Sequence, residues 1–262
     1  MKPMCALIPA GGRGTRLQPL TYAVPKELLP LGAYPTIQHV TDEIVAAGIE
    51  DIIVVTGSEK RLIENHLDEV KRRGETTAEF IYVSQDEPRG LGDAVAAGRA
   101  AVNDRPFVVA LGDGVIVGSQ VGALLSRMLK VFENNDASAV VAVERVEREQ
   151  CRKYGICVPA GDGEGADGPI RLCDLVEKPE PEDAPSTLAI CGRYIFKPVI
   201  FEYIGALSAG KGGEIQLTDA IADLARGDEA VYAVPLIGEE HRLDVGNVKT
   251  YYQAVAELAV DI

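Results

Sequence analysis

Short apolar runs alternate with helical patterns through about the first 145 residues of the chain. Runs typical of buried strands occupy residues 6–8, 51–56, 80–83, 107–111 and 137–144. Amphipathic or Ala-rich patterns predict the intervening helices: 36–47, a segment capped by Ser58 and ended by Gly74, 90–102 behind two glycines, and 120–134. This alternation predicts an α/β fold with a mainly parallel sheet and helices on both faces.

The pattern weakens after Glu144, but it does not break into a separate unit. Strands are predicted at residues 155–158, 170–177, 188–196 and 230–235, and helices at 198–207, 214–226 and 248–260. The Gly-rich stretch 161–169 reads as a turn or flexible loop, and no internal repeat is visible. We therefore predict a single domain spanning residues 1–262.

Composition narrows the class of protein. Apolar residues make up 47% of the 262 residues, enough for a core, whereas a net charge of −14 disfavours a general nucleic-acid surface. No apolar run approaches the roughly 20 residues of a membrane span, and the N-terminal segment reads as a first strand. The five cysteines form no C-x-x-C motif, which favours buried thiols in a cytoplasmic protein.

The most informative segment is a glycine loop that follows the first predicted strand. Gly11, Gly12 and Gly14 allow backbone N–H groups to approach phosphate oxygens, and Arg16 and Lys26 flank the loop. A Walker A loop would need Gly-Lys-Ser/Thr, which is missing, and a dinucleotide fingerprint would need glycine where Leu17 stands. An ordinary tight turn is the remaining alternative for such a loop taken alone.

The wider segment resembles the signature of sugar nucleotidylyltransferases. Residues 11–17 read G-G-x-G-T-R-L, and residues 25–31 read P-K-E-L-L-P-L. Further similar motifs follow in order along the chain: Gln85 with 90–92, 111–113, 154–155, 177–179, 213–221 and 244–247. The resemblance implies a three-layer Rossmann-like nucleotide-binding core with a mixed, mainly parallel sheet and an inserted sugar-binding half. Residues 1–145 would mainly bind the nucleotide, and 146–262 the sugar phosphate.

The resemblance also implies roles for individual residues in nucleotide binding. Arg16 would bind the leaving β- and γ-phosphates, and Lys26 would stabilise charge around the α-phosphate. Gln85 and Gly90 would read the pyrimidine edge, since an amide offers both a donor and an acceptor to an imide. The remaining residues expected to contact the nucleotide belong to the glycine loop: Ala10, Gly11, Gly12, Gly14 and Thr15.

A metal site and a sugar site follow from the same resemblance. Asp113, after a buried strand, and Asp244 would hold one Mg²⁺, which prefers a few oxygen ligands and retained waters. Glu177 would hydrogen-bond sugar hydroxyls, Lys178 would bind the sugar phosphate, and Gly155 would let the sugar lie against backbone. Asp113, Arg16 and Lys26 would form the catalytic set.

The expected reaction is transfer of a nucleotidyl group from UTP to glucose 1-phosphate, giving UDP-glucose and pyrophosphate. The downstream segments are similar to the bacterial branch of the family that uses these substrates. Gly112 before Asp113 is closer to the thymidylyltransferase branch, so dTTP, or another sugar 1-phosphate, is the alternative. A non-catalytic sugar-nucleotide-binding protein is a remote alternative, because the charged residues are all present. The family also implies a homo-oligomer, a dimer or a tetramer.

Overall fold

The helices and strands alternate along the chain much as the apolar pattern predicts. The computed structural model describes residues 4–57, 61–85, 87–161, 168–208, 210 and 213–258. The strands are β1 Cys5–Ala10, β2 Pro30–Leu31, β3 Tyr34–Pro35, β4 Asp51–Gly57, β5 Glu79–Gln85, β6 Phe107–Ala110, β7 Gly114–Val117, β8 Ala139–Arg145, β9 Gly155–Pro159, β10 Ile170–Glu177, β11 Leu188–Phe196, β12 Val231–Pro235 and β13 His241–Asp244. The helices are α1 Thr36–Ala46, α2 Arg61–Arg72, α3 Leu91–Ala97, α4 Arg99–Val102, α5 Ala123–Asn134, α6 Ile200–Ala206, α7 Leu217–Arg226 and α8 Val248–Leu258. Short 3-10 helices lie at Thr15–Leu17, Lys26–Leu28 and Arg148–Lys153.

Nine of the described strands form one mixed sheet in the order β5-β4-β1-β6-β11-β8-β12-β10-β9. Strands β5, β4, β1 and β6 are parallel neighbours, whereas β11 runs antiparallel to both β6 and β8. Ala189 of β11 pairs with Glu144 of β8 and also with Ile156 of β9. That second pairing joins the two ends of the β11-β8-β12-β10-β9 segment into a partial barrel.

The predicted mixed α/β sheet is therefore confirmed, but an open Rossmann-like sheet does not describe its second part. Strand β11 is nine residues long and has three neighbours: β8 on one edge, and on the other edge β6 beside Arg193–Phe196 and β9 beside Ala189. Its pairing with β8 shifts register between Ile190 and Tyr194. Gly192, inside that irregularity, has a φ of 83°, a conformation that glycine adopts without a steric penalty. The second half of β11 thus lies antiparallel beside β6, and its first half closes the barrel.

The core lies on both faces of the sheet, as the alternation of strands and helices predicts. Cys5 and Leu7 of β1 pack on the face covered by α3, α6 and α7. Ala6, Ile8 and Ala10 point the other way, into a cluster with α1, α2 and α5. Burying one aliphatic side chain of this kind contributes about 1.5–3 kcal/mol, so each face stabilises the parallel strands.

Several predicted helices begin or end elsewhere, and glycine explains two of the differences. The segment 90–102 is divided into α3 and α4 at Gly98, where a Cβ atom would lie 2.2 Å from Leu7 of the sheet. Helix α5 starts at Ala123 rather than 120, after Gly122 with a φ of 77°. The helix predicted from 214 starts at Leu217. The predicted cap Ser58, most of loop 161–169 and the end of the last helix lie outside the described residues.

The prediction of buried thiols is right for four cysteines and wrong for one. Cys5, Cys151, Cys157 and Cys191 are buried, whereas Cys173 on β10 is exposed. Burial raises the pKa of the Cys5 thiol to about 11. No helix in the described ranges has the length and apolar character needed to cross a membrane.

Candidate active site

The glycine loop leaves the carboxyl end of β1 and is fixed by local contacts. Gly14 adopts a left-handed conformation with a φ of 63°, and its carbonyl accepts a hydrogen bond from the Thr21 hydroxyl at 2.7 Å. The chain then makes the short 3-10 helix Thr15–Leu17, whose Leu17 side chain is fully buried. Burial of Leu17 beside the flexible glycines holds the loop in place over the edge of the sheet.

A cavity of about 510 Å³ opens beneath this loop. Nine of the residues predicted to bind the nucleotide or to catalyse the reaction line this cavity: Gly11, Gly12, Gly14, Thr15, Arg16, Lys26, Gln85, Gly90 and Asp113. Ala10, also predicted to contact the base, is 1% exposed at the end of β1 and is not among the lining residues. The structure therefore brings most of the predicted nucleotide-binding residues together.

Other lining residues were not predicted from the sequence. Arg13 adds a further cation within the glycine loop, and Glu27, which is 1% exposed, follows Lys26. Glu214 and Gln216 reach the cavity from the segment before α7. All four lie inside the motifs at 11–17, 25–31 and 213–221, which could have marked them as candidates. Nothing in the sequence, however, indicated which residues of a motif face the cavity.

Lys26 and Asp113 form an ion pair at the centre of the lining. Their side chains are only 18% and 22% exposed, so water screens the contact weakly. Burial opposes the charge on Lys26, but attraction to Asp113 and Glu27 outweighs it and raises the pKa of the Lys26 ammonium. Burial likewise opposes the charge on Asp113, but Lys26 outweighs it and lowers the pKa of the carboxyl group. Both groups are consequently charged at neutral pH.

Of the two aspartates predicted to bind a metal, Asp244 is the last residue of β13, and Asp113 immediately precedes the neighbouring strand β7. Asp244 of β13 pairs across the antiparallel ladder with Gly114 of β7, and the Val245 N–H donates to the Asp113 carbonyl at 3.0 Å. A small apolar cluster that includes Leu17, Leu243 and Val245 supports this ladder from below. Sequence analysis did not predict either strand, and these strands place the two residues side by side.

The candidate metal site offers carboxylate oxygens, which suit hard divalent cations. No group of three or more His, Cys, Asp or Glu side chains that could hold a metal occurs among the described residues. Two carboxylates alone suit Mg²⁺, which usually keeps several waters and takes its other ligands from substrate phosphates. Within the chain, the Asp244 carboxylate accepts from the Gly246 N–H at 2.9 Å and from Thr250 at 3.4 Å.

Gly11, Gln85 and Gly90 meet at the corner of the cavity expected to hold the base. A Cβ atom on Gly11 would lie 2.7 Å from Gln85 Oε1, so a larger residue there would displace the end of the Gln85 side chain. Gly90 has a φ of 107°, and a Cβ atom on it would lie 2.6 Å from the Ile215 carbonyl. Ile215 holds this segment by accepting from the Gly92 N–H at 2.9 Å and donating to the Arg89 carbonyl at 2.7 Å.

The three residues predicted to bind the sugar phosphate form a second group. Gly155 of β9 pairs with Glu177 of β10, and the Lys178 N–H donates to the Tyr154 carbonyl at 3.0 Å. Lys178 Nζ lies 2.6 Å from Glu177 Oε1. A Cβ atom on Gly155 would lie 2.9 Å from Thr218 Oγ1, so helix packing also requires glycine there. None of the three lines the 510 Å³ cavity.

A second cavity has a volume of about 440 Å³. Tyr154, next to Gly155, and Asp244 both line it. The Arg242 guanidinium carbon lies 4.5 Å from the centre of the Tyr154 ring, and the guanidinium pairs with Glu144 at 2.5 Å. Strand β13, which carries the metal-binding candidate Asp244, thus contacts Tyr154, the residue before the sugar-binding candidate Gly155.

Comparison with known proteins shows the family to which this chain belongs. The model of the nucleotidyl transferase family matches residues 5–260. The UTP–glucose-1-phosphate uridylyltransferase of Bacillus subtilis is 40% identical, over 97% of this chain and 90% of its own. A UDP-glucose pyrophosphorylase solved with UDP-glucose superposes with a TM-score of 0.89 at 34% identity, covering 99% of both chains. A UTP-bound enzyme of the same kind from Acinetobacter baumannii gives 0.84 at 31%, covering 99% of this chain and 94% of its own. The resemblance seen in the sequence is confirmed, and the chain belongs to the nucleotidyl transferase family.

Proposed function

We propose that this protein transfers the uridylyl group of UTP to glucose 1-phosphate, forming UDP-glucose and releasing pyrophosphate. The observation that carries the proposal is the cavity under the glycine loop. It combines Arg16, Lys26 and Asp113 with the base-reading candidates Gln85 and Gly90. The full-length similarity to enzymes named for this reaction supports the same substrates.

The chemistry requires charge neutralisation more than proton transfer. A phosphate monoester has a second pKa near ~6, so glucose 1-phosphate attacks as a dianion without a general base. In the proposed step, its phosphate oxygen attacks the α-phosphorus in line and the bond to the pyrophosphate breaks. Catalysis then consists of bringing two anions together and offsetting their charge.

Each charged residue has a place in this step. Arg16 would bind the phosphates that leave, Lys26 would lie against the α-phosphate, and Lys178 would hold the attacking phosphate. Asp113 and Asp244 would hold Mg²⁺, which when bound supplies positive charge between the nucleotide phosphates. Glu177 and Gly155 would position the glucose ring. The net charge of −14 makes such local clustering of cations necessary for binding an anion.

The alternative nucleotide is dTTP, which the Gly112-Asp113-Gly114 sequence favours. The structure gives Gly112 a local explanation, because a Cβ atom there would lie 3.2 Å from Glu27 and 3.3 Å from Ile8. Glycine at 112 is therefore explained by packing and says little about the base.

We also infer that residues 1–262 act as one domain, since β8 of the first half lies between β11 and β12 of the second.

The decisive experiment is pyrophosphate release from UTP, dTTP, CTP, GTP and ATP, each with glucose 1-phosphate and Mg²⁺ and with an EDTA control. The proposal expects EDTA-sensitive release that is fastest with UTP. A dTTP preference would move the assignment to thymidylyl transfer. No release with any nucleotide would leave a different sugar or a binding-only protein.

A variant pair tests the site itself. Replacing Lys26 by Ala removes the cation nearest Asp113 and should lower kcat by about 100-fold or more. Lys71→Ala is the matched control, because Lys71 is 41% exposed on α2 and forms an ion pair with the surface residue Glu79. Near-normal turnover in Lys26→Ala would contradict the proposed catalytic set.

A further inference from the structure

The amide of Gln85 has a partner that fixes which of its ends faces the cavity. Gln85 is the last residue of β5, and Asp93 lies in the first turn of α3. Gln85 Nε2 donates to Asp93 Oδ2 at 2.6 Å. An ionised carboxylate can only accept hydrogen bonds, so the nitrogen end of the amide must face Asp93.

The other end of the amide, the oxygen, then faces Gly11. A Cβ atom on Gly11 would lie 2.7 Å from Gln85 Oε1, which places this oxygen against the backbone of the glycine loop. Gln85 lines the 510 Å³ cavity and is itself only 7% exposed. Gln85 therefore presents its acceptor, Oε1, to the cavity, while its donor, Nε2, points away toward Asp93.

Asp93 is held in place by a second contact. Arg89 Nη2 donates to the other carboxylate oxygen, Oδ1, at 2.9 Å. The Asp93 side chain is 13% exposed, whereas Arg89 is 62% exposed. The backbone of Arg89 is anchored in turn, because its carbonyl accepts from the Ile215 N–H at 2.7 Å. Oδ2 remains directed at Gln85.

An acceptor at this corner selects among pyrimidines. Uracil and thymine carry an N–H at ring position 3, whereas cytosine carries a lone pair there. We propose that Asp93 is a positioning residue for nucleotide choice: it keeps the Gln85 oxygen toward the base, which favours an imide N–H and rejects cytosine. This inference rests on the proposed function, in which Gln85 contacts the base.

The variant Asp93→Asn tests this directly. An asparagine amide can donate or accept, so it pairs with either orientation of Gln85 and no longer imposes one. The affinity ratio of UTP over CTP should fall by about 10-fold, as expected for losing one directed hydrogen bond in a buried site. Titration calorimetry with each nucleotide and Mg²⁺, without sugar, measures the ratio independently of turnover.

The matched control is Asp136→Asn, which makes the same change at a side chain 93% exposed and paired with Lys197. It should leave the ratio unchanged. An unchanged ratio in Asp93→Asn overturns the proposal, as does equal binding of UTP and CTP by the unaltered protein. If the unaltered protein binds neither UTP nor CTP, the result contradicts the proposed function itself, independently of Asp93.

A second variant covers the case in which Asp93→Asn does not fold. Arg89→Met removes the exposed cation that holds Asp93 and leaves Asp93 and Gln85 in place. It should lower the UTP-to-CTP ratio by about twofold, less than Asp93→Asn does, because the Arg89 side chain is 62% exposed and water screens its ion pair with Asp93. A ratio equal to that of the unaltered protein would overturn the proposal as well.

Discussion

Arg193 is the largest completely buried side chain, and replacing it by Met should destabilise the protein strongly. Its guanidinium donates to Glu43 at 2.7, 3.1 and 3.2 Å, to the Gly192 carbonyl at 3.1 Å and to the Gly114 carbonyl at 2.8 Å. These bonds join β11, α1 and β7. Arg193 is 0% exposed and the Glu43 side chain 5%, so no water can replace the lost donors.

The expected size follows from what Arg193→Met leaves behind. A buried Glu43 carboxylate without its partner costs about 3–5 kcal/mol of unfolding free energy. At about 2–4 °C per kcal/mol for a chain of this size, the melting temperature should fall by about 6–20 °C. Adding Glu43→Leu to Arg193→Met should recover much of the loss, because two apolar groups replace the stranded charge.

Urea unfolding followed by circular dichroism measures these differences. Lys197→Met is the control, because its ion pair with Asp136 lies at the surface and should contribute less than about 1 kcal/mol. Arg193 also holds the carbonyl of Gly114, next to Asp113, so the double variant should regain stability without regaining full kcat. If Arg193→Met costs no more than Lys197→Met, the reasoning from burial is wrong.

Three further changes have expected outcomes. Gly11→Ala would place a Cβ atom 2.7 Å from Gln85 Oε1 and should weaken UTP binding by about 10-fold or more. Its control is Gly205→Ala in α6, where the added Cβ meets nothing within 4 Å and should add about 0.5–1 kcal/mol to the free energy of unfolding. Among the described residues, none provides a hydrogen-bond partner for the buried His66 Nε2, and burial lowers the pKa of this imidazole. The unfolded chain therefore takes up the proton first, so stability should be full above pH ~6.5 and decline below it, and His66→Leu should reduce that decline in urea titrations at several pH values. Asp244→Asn should raise the Mg²⁺ concentration needed for half-maximal pyrophosphate release, and an unchanged Mg²⁺ requirement would remove Asp244 from the metal site.

The parallel part of the fold and the glycine loop could be predicted because their signals are local. Each of β1, β4 and β6 is a continuous apolar run, since such strands are covered by helices on both faces. The residues of the glycine-loop motif are contiguous in the sequence, so the motif can be recognised without the structure. The barrel closure could not be predicted, because it rests on the pairing of Ala189 of β11 with Ile156 of β9, which are distant in sequence and carry no local signal for that contact.

The strands β7 and β13 were missed for a related reason. Both are only four residues long, and β13 has a single buried residue, Leu243, so it shows no apolar run. They are stabilised by pairing with each other and by the small cluster around Leu17 and Val245, which are contacts between distant parts of the chain. The sequence could assign Asp113 and Asp244 to one site only through the family resemblance, and could not give the ladder that joins them.

The contact between Lys26 and Asp113 is the clearest case of information that only the folded chain holds. The resemblance implied separate roles for them, one at the α-phosphate and one at the metal, and their separation of 87 residues gave no reason to pair them. An isolated charge in a cavity as enclosed as this one would be costly to desolvate. Pairing the two opposite charges removes most of that cost while leaving both groups ionised. Lys26 and Asp113, both members of the proposed catalytic set, therefore act as counterions for each other in a chain of net charge −14.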